Sequence, residues 1–229
     1  MPLDVLREPI VGAVTVTGFF SVGVIIGLSI YLPLYFELVL GFSPSGSGTA
    51  LIVFLAAATA GSFAAGRLMG VTAHYKRVPI VGLALGLIML VAFAIRPAGL
   101  SLVEVSLLLS IGGAGLGVMY PVTTTIMQNA VRPQALGTAT GSLNFARQLG
   151  GTIIVAAFGT ILLGGFDAGG HGLTLDLLRG ARGSADFAAL FRVIFAAGAG
   201  FLALGQIAVA VIEERPLRGP ARRDPVAAE

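Results

Sequence analysis

Six stretches of the chain are apolar and nearly free of charge: Ile10–Phe36, Gly48–Gly66, Val78–Ile95, Val105–Met127, Gly137–Gly164 and Val193–Ile212. Each is long enough to cross a hydrocarbon layer of roughly 30 Å as an α-helix. Polar and turn-forming residues fall between them, as in Gly41-Phe-Ser-Pro-Ser-Gly46, Arg96-Pro-Ala-Gly99 and Arg132-Pro133. Short connections of that chemistry predict helical hairpins in series. Phe166–Asp186 reads as a longer Gly-rich loop and Glu213–Glu229 as a Pro/Arg-rich tail without fixed structure. The organisation expected is a lead-in over residues 1–9, a six-helix membrane unit over 10–212 and a tail over 213–229.

Composition strengthens this pattern. Of 229 residues, 56% are hydrophobic and 11% charged, whereas about a quarter of an ordinary soluble domain is charged. The mean hydropathy is +0.95. A net charge of +3 could point to nucleic acid, but the 14 Lys and Arg residues lie between apolar runs and form no continuous basic face. Nucleic acid is therefore excluded as a partner, and the bilayer takes its place. Ten cations lie on one side of the alternating topology (Arg7, Arg67, Lys76, Arg77, Arg132, Arg147, Arg215, Arg218, Arg222, Arg223) and four on the other (Arg96, Arg179, Arg182, Arg192). The positive-inside rule then predicts both termini in the cytoplasm. With no cysteine, disulfides and thiolate chemistry are excluded.

The spans carry their own candidate chemistry. Glycines recur four apart at Gly23 and Gly27, Gly66 and Gly70, Gly82 and Gly86, Gly113 and Gly117, and Gly137 and Gly141, a spacing that lets helix backbones approach closely in lipid. Around Gly113, Gly117 and Pro121 the glycines and the proline predict a bent span as well as packing. Ser29, Pro33 and Glu37 share one face of the first helix. Glu37 either reaches water at the interface or holds a proton or cation beside a cavity. Two polar clusters, Thr123-Thr-Thr-Ile-Met-Gln128-Asn129 and Asn144-Phe-Ala-Arg147-Gln148, face each other across a short turn. Either Arg147 snorkels to the interface as a structural residue, or the clusters rim an inner gate.

The order of several segments resembles the major facilitator superfamily, and within it the C-terminal half of the fourteen-helix drug:proton antiporters. The resemblance rests on Tyr31-Leu-Pro-Leu-Tyr-Phe-Glu-Leu-Val-Leu-Gly-Phe-Ser-Pro44, Gly61-Ser-Phe-Ala-Ala-Gly-Arg67, Gly113–Pro121, Gln128-Asn-Ala-Val-Arg-Pro133 and Phe145-Ala-Arg-Gln-Leu-Gly-Gly151. It implies an all-α bundle of six helices, built from two three-helix repeats, that pairs with a similar N-terminal half from the same full-length chain or a separate one. Met1 is accordingly expected to be an internal start or a fragment boundary. Gly70 stands where the superfamily's loop signature has an acidic residue, although Lys76 and Arg77 fit the pattern.

The function implied is proton-coupled export of small amphipathic or drug-like molecules by alternating access, in a bacterial inner membrane. The alternative is a non-transporting half or an assembly subunit. Pathway candidates are Tyr31, Pro33, Tyr35, Glu37, Tyr120, Thr123 and Asn144; gate candidates are Arg67, Lys76, Arg77, Gln128, Arg147 and Gln148. An enzyme is disfavoured because His74, His171 and Lys76 lie in loops and form no zinc pair or Ser/Lys dyad. No cofactor or metal is called for.

Overall fold

The computed structural model describes residues 8–71, 76–168 and 185–211. Every apolar stretch is helical: α1 Pro9–Leu38, α2 Pro44–Val71, α3 Arg77–Ile95, α4 Leu102–Gly117, α5 Met119–Ala130, α6 Leu136–Ala168 and α7 Ala185–Val211. α4 and α5 share one crossing, so the described residues form 6 membrane-length spans and contain no strand. This is the all-α six-helix architecture expected. The tail, His74, His171 and most of the long loop lie outside the described residues.

Local chemistry sets the helix ends. Pro9 opens α1, where its missing N–H costs nothing. Ser101 and Glu104 close a capping box on α4: Glu104 N–H donates to Ser101 Oγ at 3.3 Å and Ser101 N–H donates to Glu104 Oε2 at 2.8 Å. Glu104 thus lies in the first turn of α4, one residue before the apolar stretch begins. Gly41 and Gly99 adopt φ of +70° and +79° at the turns after α1 and α3, a region that suits glycine. The α7 helix begins eight residues before the apolar stretch does (193 − 185). Phe187 and Phe191 are buried against the bundle while Arg192 points outward, so the helix continues past a charge that ends the hydropathy signal.

In lipid, helices gain from close packing more than from apolar burial. Gly23 of α1 meets Gly150 of α6 so closely that a Cβ on either would overlap the other helix's backbone. Gly113 and Gly117 approach the carbonyls of Phe54 and Ala58 on α2, while Gly112 and Gly115 approach Met89 and the Gly82–Leu85 turn of α3. α4 is therefore wedged between two neighbours on two glycine faces. By contrast, nothing lies near Gly66, Gly137 or Gly141.

The packed interior has two parts. At the end bearing Leu38 and Ile95, Tyr35, Phe36, Phe93, Phe191 and Phe195 pack into an aromatic core. At the end bearing Pro9 and Ala130, a smaller aliphatic core joins Val11, Val14, Met69, Ile126, Met127 and Leu143. Large apolar side chains such as Ile52, Phe63, Ile88 and Ile207 are exposed, as surfaces facing lipid or another apolar body must be.

A buried arginine pocket as the candidate functional site

The site begins with a proline. Pro121 has no N–H, so the carbonyl of Gly117 loses its helical partner. Ser62 of α2 supplies one, donating from Oγ to Gly117 O at 3.1 Å. The span breaks next to that point, and Val118 separates α4 from α5. The carbonyl of Tyr120, at the start of α5, is then met by a side chain from α6. That side chain is Arg147.

Arg147 is only 3% exposed. Its Nη1 donates to Asn144 Oδ1 at 2.9 Å, and its Nη2 lies 2.9 Å from Tyr120 O, 2.6 Å from Thr123 Oγ1 and 2.9 Å from Thr124 Oγ1. The guanidinium carbon sits 4.6 Å from the centre of the Tyr120 ring, a cation–π geometry. Thr123 can accept because its own hydroxyl proton is donated to Met119 O one turn back. The arginine stem runs past Gly18 of α1, where a Cβ would press on Leu143 and reach only ordinary contact with Arg147. At 1.5 Å per residue, Arg147 lies roughly 16 Å along α6 from Leu136. Snorkelling to the interface is therefore corrected: the side chain turns inward and is held at mid-helix.

Four candidates separated in the sequence are thus brought together: Tyr120, Thr123, Asn144 and Arg147. The others are elsewhere. Tyr31 and Tyr35 face into the bundle, where Tyr31 Oη donates to Val155 O at 3.1 Å and Tyr35 Oη to Pro97 O at 2.7 Å. Pro33 and Glu37 lie on a half-buried face of the same helix. Glu37 accepts from Ser47 Oγ at 2.8 Å, which ties the α1–α2 hairpin together. Lys76 donates to Ala210 O at 2.8 Å near the carbonyl end of α7, where a cation also suits the helix dipole. Arg67, Arg77, Gln128 and Gln148 are exposed, the last two flanking the arginine pocket in sequence.

Beside Tyr120 runs a groove of about 520 Å³ between α1, α2 and α4. Its walls are mainly apolar, from Ile25, Leu55, Ala58 and Phe63, with the hydroxyls of Thr59 and Ser62 among them. Reasoning from sequence missed this groove and Ser62. The signal present was Pro121 itself, whose freed carbonyl calls for a hydroxyl on a neighbouring helix. The arrangement can hold a fixed positive charge out of water next to an apolar trough. Among the described residues no carboxylate lies within salt-bridge distance of Arg147.

Comparison with known proteins places residues 3–155 in a match to the family described as Major Facilitator Superfamily. The chain is 29% identical over 163 residues to the "Tetracycline resistance determinant" of Streptomyces rimosus, which covers 71% of this chain and 47% of that protein. It is 33% identical over 141 residues to the "Probable actinorhodin transporter" of Streptomyces coelicolor, covering 60% of this chain and 24% of the relative. It is 32% identical over 150 residues to the "Multidrug resistance protein Stp" of Mycobacterium tuberculosis, covering 64% and 26%. The chain thus spans half or less of the length of these relatives.

Proposed function

The chain belongs to the Major Facilitator Superfamily, and on that premise we propose that it is the C-terminal half of a secondary transporter exporting small amphipathic molecules in exchange for protons. The observation that carries the reading is the family match over residues 3–155. The relatives include tetracycline and multidrug resistance proteins, which supports an amphipathic, drug-like cargo. The pathway then runs past Tyr120, Thr123 and Asn144, with Tyr31, Pro33, Tyr35 and Glu37 shaping α1. Gly113, Gly117 and Pro121 keep α4 packed and broken. Arg67, Lys76, Arg77, Gln128, Arg147 and Gln148 control the inner end. Both termini face the cytoplasm of a bacterial inner membrane.

A second reading is favoured by coverage. Because the chain spans about half the length of the first relative, transport requires an N-terminal half, in the same full-length chain or as a separate partner. The test is reconstitution into liposomes with an imposed proton gradient and two probes of opposite charge, ethidium and fluorescein, each measured as dye retained after gel filtration. Gradient-driven dye movement that a protonophore abolishes supports the transporter reading, either with the chain alone or on adding a six- to eight-helix partner half. Movement only with the partner selects the assembly form. No movement of either dye in either preparation overturns proton-coupled transport.

A further inference from the structure

We propose that Arg147, with Asn144 and Tyr120, recognises the anionic group of an amphipathic aromatic solute whose apolar body lies in the groove of α1, α2 and α4. The inference rests on the transporter reading for the solute's onward movement, while binding itself is separable from it.

The argument starts from charge. A guanidinium taken out of water costs several kcal/mol unless an opposite charge or a full set of hydrogen bonds compensates. Arg147 has neither. All its acceptors are neutral: two threonine hydroxyls, one backbone carbonyl and one amide oxygen. Its Nε–H has no acceptor. Its Nη1 carries two N–H bonds and has Asn144 as its acceptor, which leaves one donor over. Three acceptors crowd Nη2, so that edge is the anchored one. The Nη1 edge, beside the exposed Asn144, is the one with capacity to spare.

A carboxylate or phenolate meets that need, because an ionised acceptor forms the stronger, charge-assisted bond to guanidinium. A cationic group is repelled by the same fixed charge. Tyr120 links the charge to the groove. Its ring covers the guanidinium on one side, it is 44% exposed, and it also lines the apolar trough. A solute with a flat aromatic body can therefore lie against Tyr120, Ile25, Leu55 and Phe63 while its anionic edge reaches Arg147. The carboxylate side chain on α1, Glu37, takes no part: it is engaged with Ser47 at the hairpin.

The experiment is direct binding by fluorescence anisotropy to the full chain in phosphatidylcholine nanodiscs, with empty discs as blank. The probes are fluorescein, an anion at neutral pH, and a cationic rhodamine methyl ester of the same ring system. Fluorescein is expected to bind at least tenfold more tightly than the rhodamine. Arg147→Gln should abolish the difference by weakening the anion alone, Arg147→Lys should keep part of it, and Asn144→Ala should weaken fluorescein about threefold.

Equal binding of the two dyes, binding of neither, or a preference that survives Arg147→Gln overturns the proposal and leaves the arginine as a staple between α5 and α6. If Arg147→Gln fails to elute as a folded monodisperse species, Tyr120→Ala decides. It keeps the charge and removes the ring against which the solute lies, so fluorescein should bind several-fold more weakly, and an unchanged affinity counts against the idea. An Arg147-dependent anion preference without gradient-driven dye movement leaves this proposal standing and removes the transport reading; charge-blind binding with movement does the reverse.

Discussion

The ring of Tyr35 is fully buried among Phe36, Phe93, Phe191 and Phe195, and its hydroxyl donates to Pro97 O at 2.7 Å. The ring of Tyr120 is 44% exposed and rests on a guanidinium. Both side chains are amphipathic, with an apolar body and one polar handle. The first has every part of its surface matched from within the chain. The second has one face on a charge and the other on an open groove. One end of the bundle is thus finished as a core, and the region around α5 offers unsatisfied polar capacity.

The largest expected effect tests the finished side. Tyr35→Ala removes a ring that touches four phenylalanines and strands the carbonyl of Pro97. Large aromatic-to-alanine changes in packed cores cost about 3–5 kcal/mol, and a site hemmed in by α1, α3 and α7 has little means of collapsing. Thermal unfolding in detergent micelles should show a drop of that size. A loss under about 1 kcal/mol would mean that the aromatic core is loosely packed and that the contrast with Tyr120 is false.

The intermediate effect tests the arginine pocket. Thr123→Val keeps the shape and deletes one acceptor of the buried guanidinium. Interhelical hydrogen bonds in membrane proteins average about 0.6 kcal/mol and reach about 1.7. A charged donor belongs towards the upper part, and Tyr120 O and Thr124 Oγ1 remain to share it. We expect a loss of about 1 kcal/mol, which disappears when Arg147 is replaced by Met, since no charge then needs the hydroxyl. A double-mutant cycle measures that coupling. Additive losses would show that Thr123 serves its own helix alone.

Hydropathy marks the six spans well because a bilayer-spanning helix must be apolar almost throughout. It fails where a charge sits on a helix without ending it. Arg192 is the plain case: it points outward from α7 while Phe187 and Phe191 pack inward, so the helix starts earlier than the apolar run. Arg147 is the instructive one. Its position in a polar cluster is visible in sequence, but its inward rotation is held by the carbonyl of Tyr120 and the hydroxyls of Thr123 and Thr124 on α5. Those are contacts between separate helices, 23 to 27 residues apart in the chain. Periodicity gives a helix its faces without saying which neighbour each face meets. The same limit explains α1, where Tyr31 and Tyr35 turn to the core while Pro33 and Glu37 lie on another face. It also explains the glycines: Gly23 and Gly137 both sit in four-residue pairs, yet only Gly23 has a helix against it.

The smallest effect is also the sharpest comparison, because one substitution is made at both sites. Tyr35→Phe deletes a buried hydroxyl and leaves the carbonyl of Pro97 without its donor, which should cost about 1 kcal/mol. Tyr120→Phe removes a hydroxyl from a half-open side chain and keeps the ring on the guanidinium, so its stability should stay within about 0.5 kcal/mol of the parent. The ranking is measured by unfolding the two variants side by side in the same micelle. Equal losses would show that the hydroxyl of Tyr120 is held as firmly as that of Tyr35, and the groove would then be part of the packed interior. A silent Tyr120→Phe alongside a costly Tyr35→Phe leaves Tyr120 free to turn, which is what a side chain covering a ligand's charge partner has to be able to do.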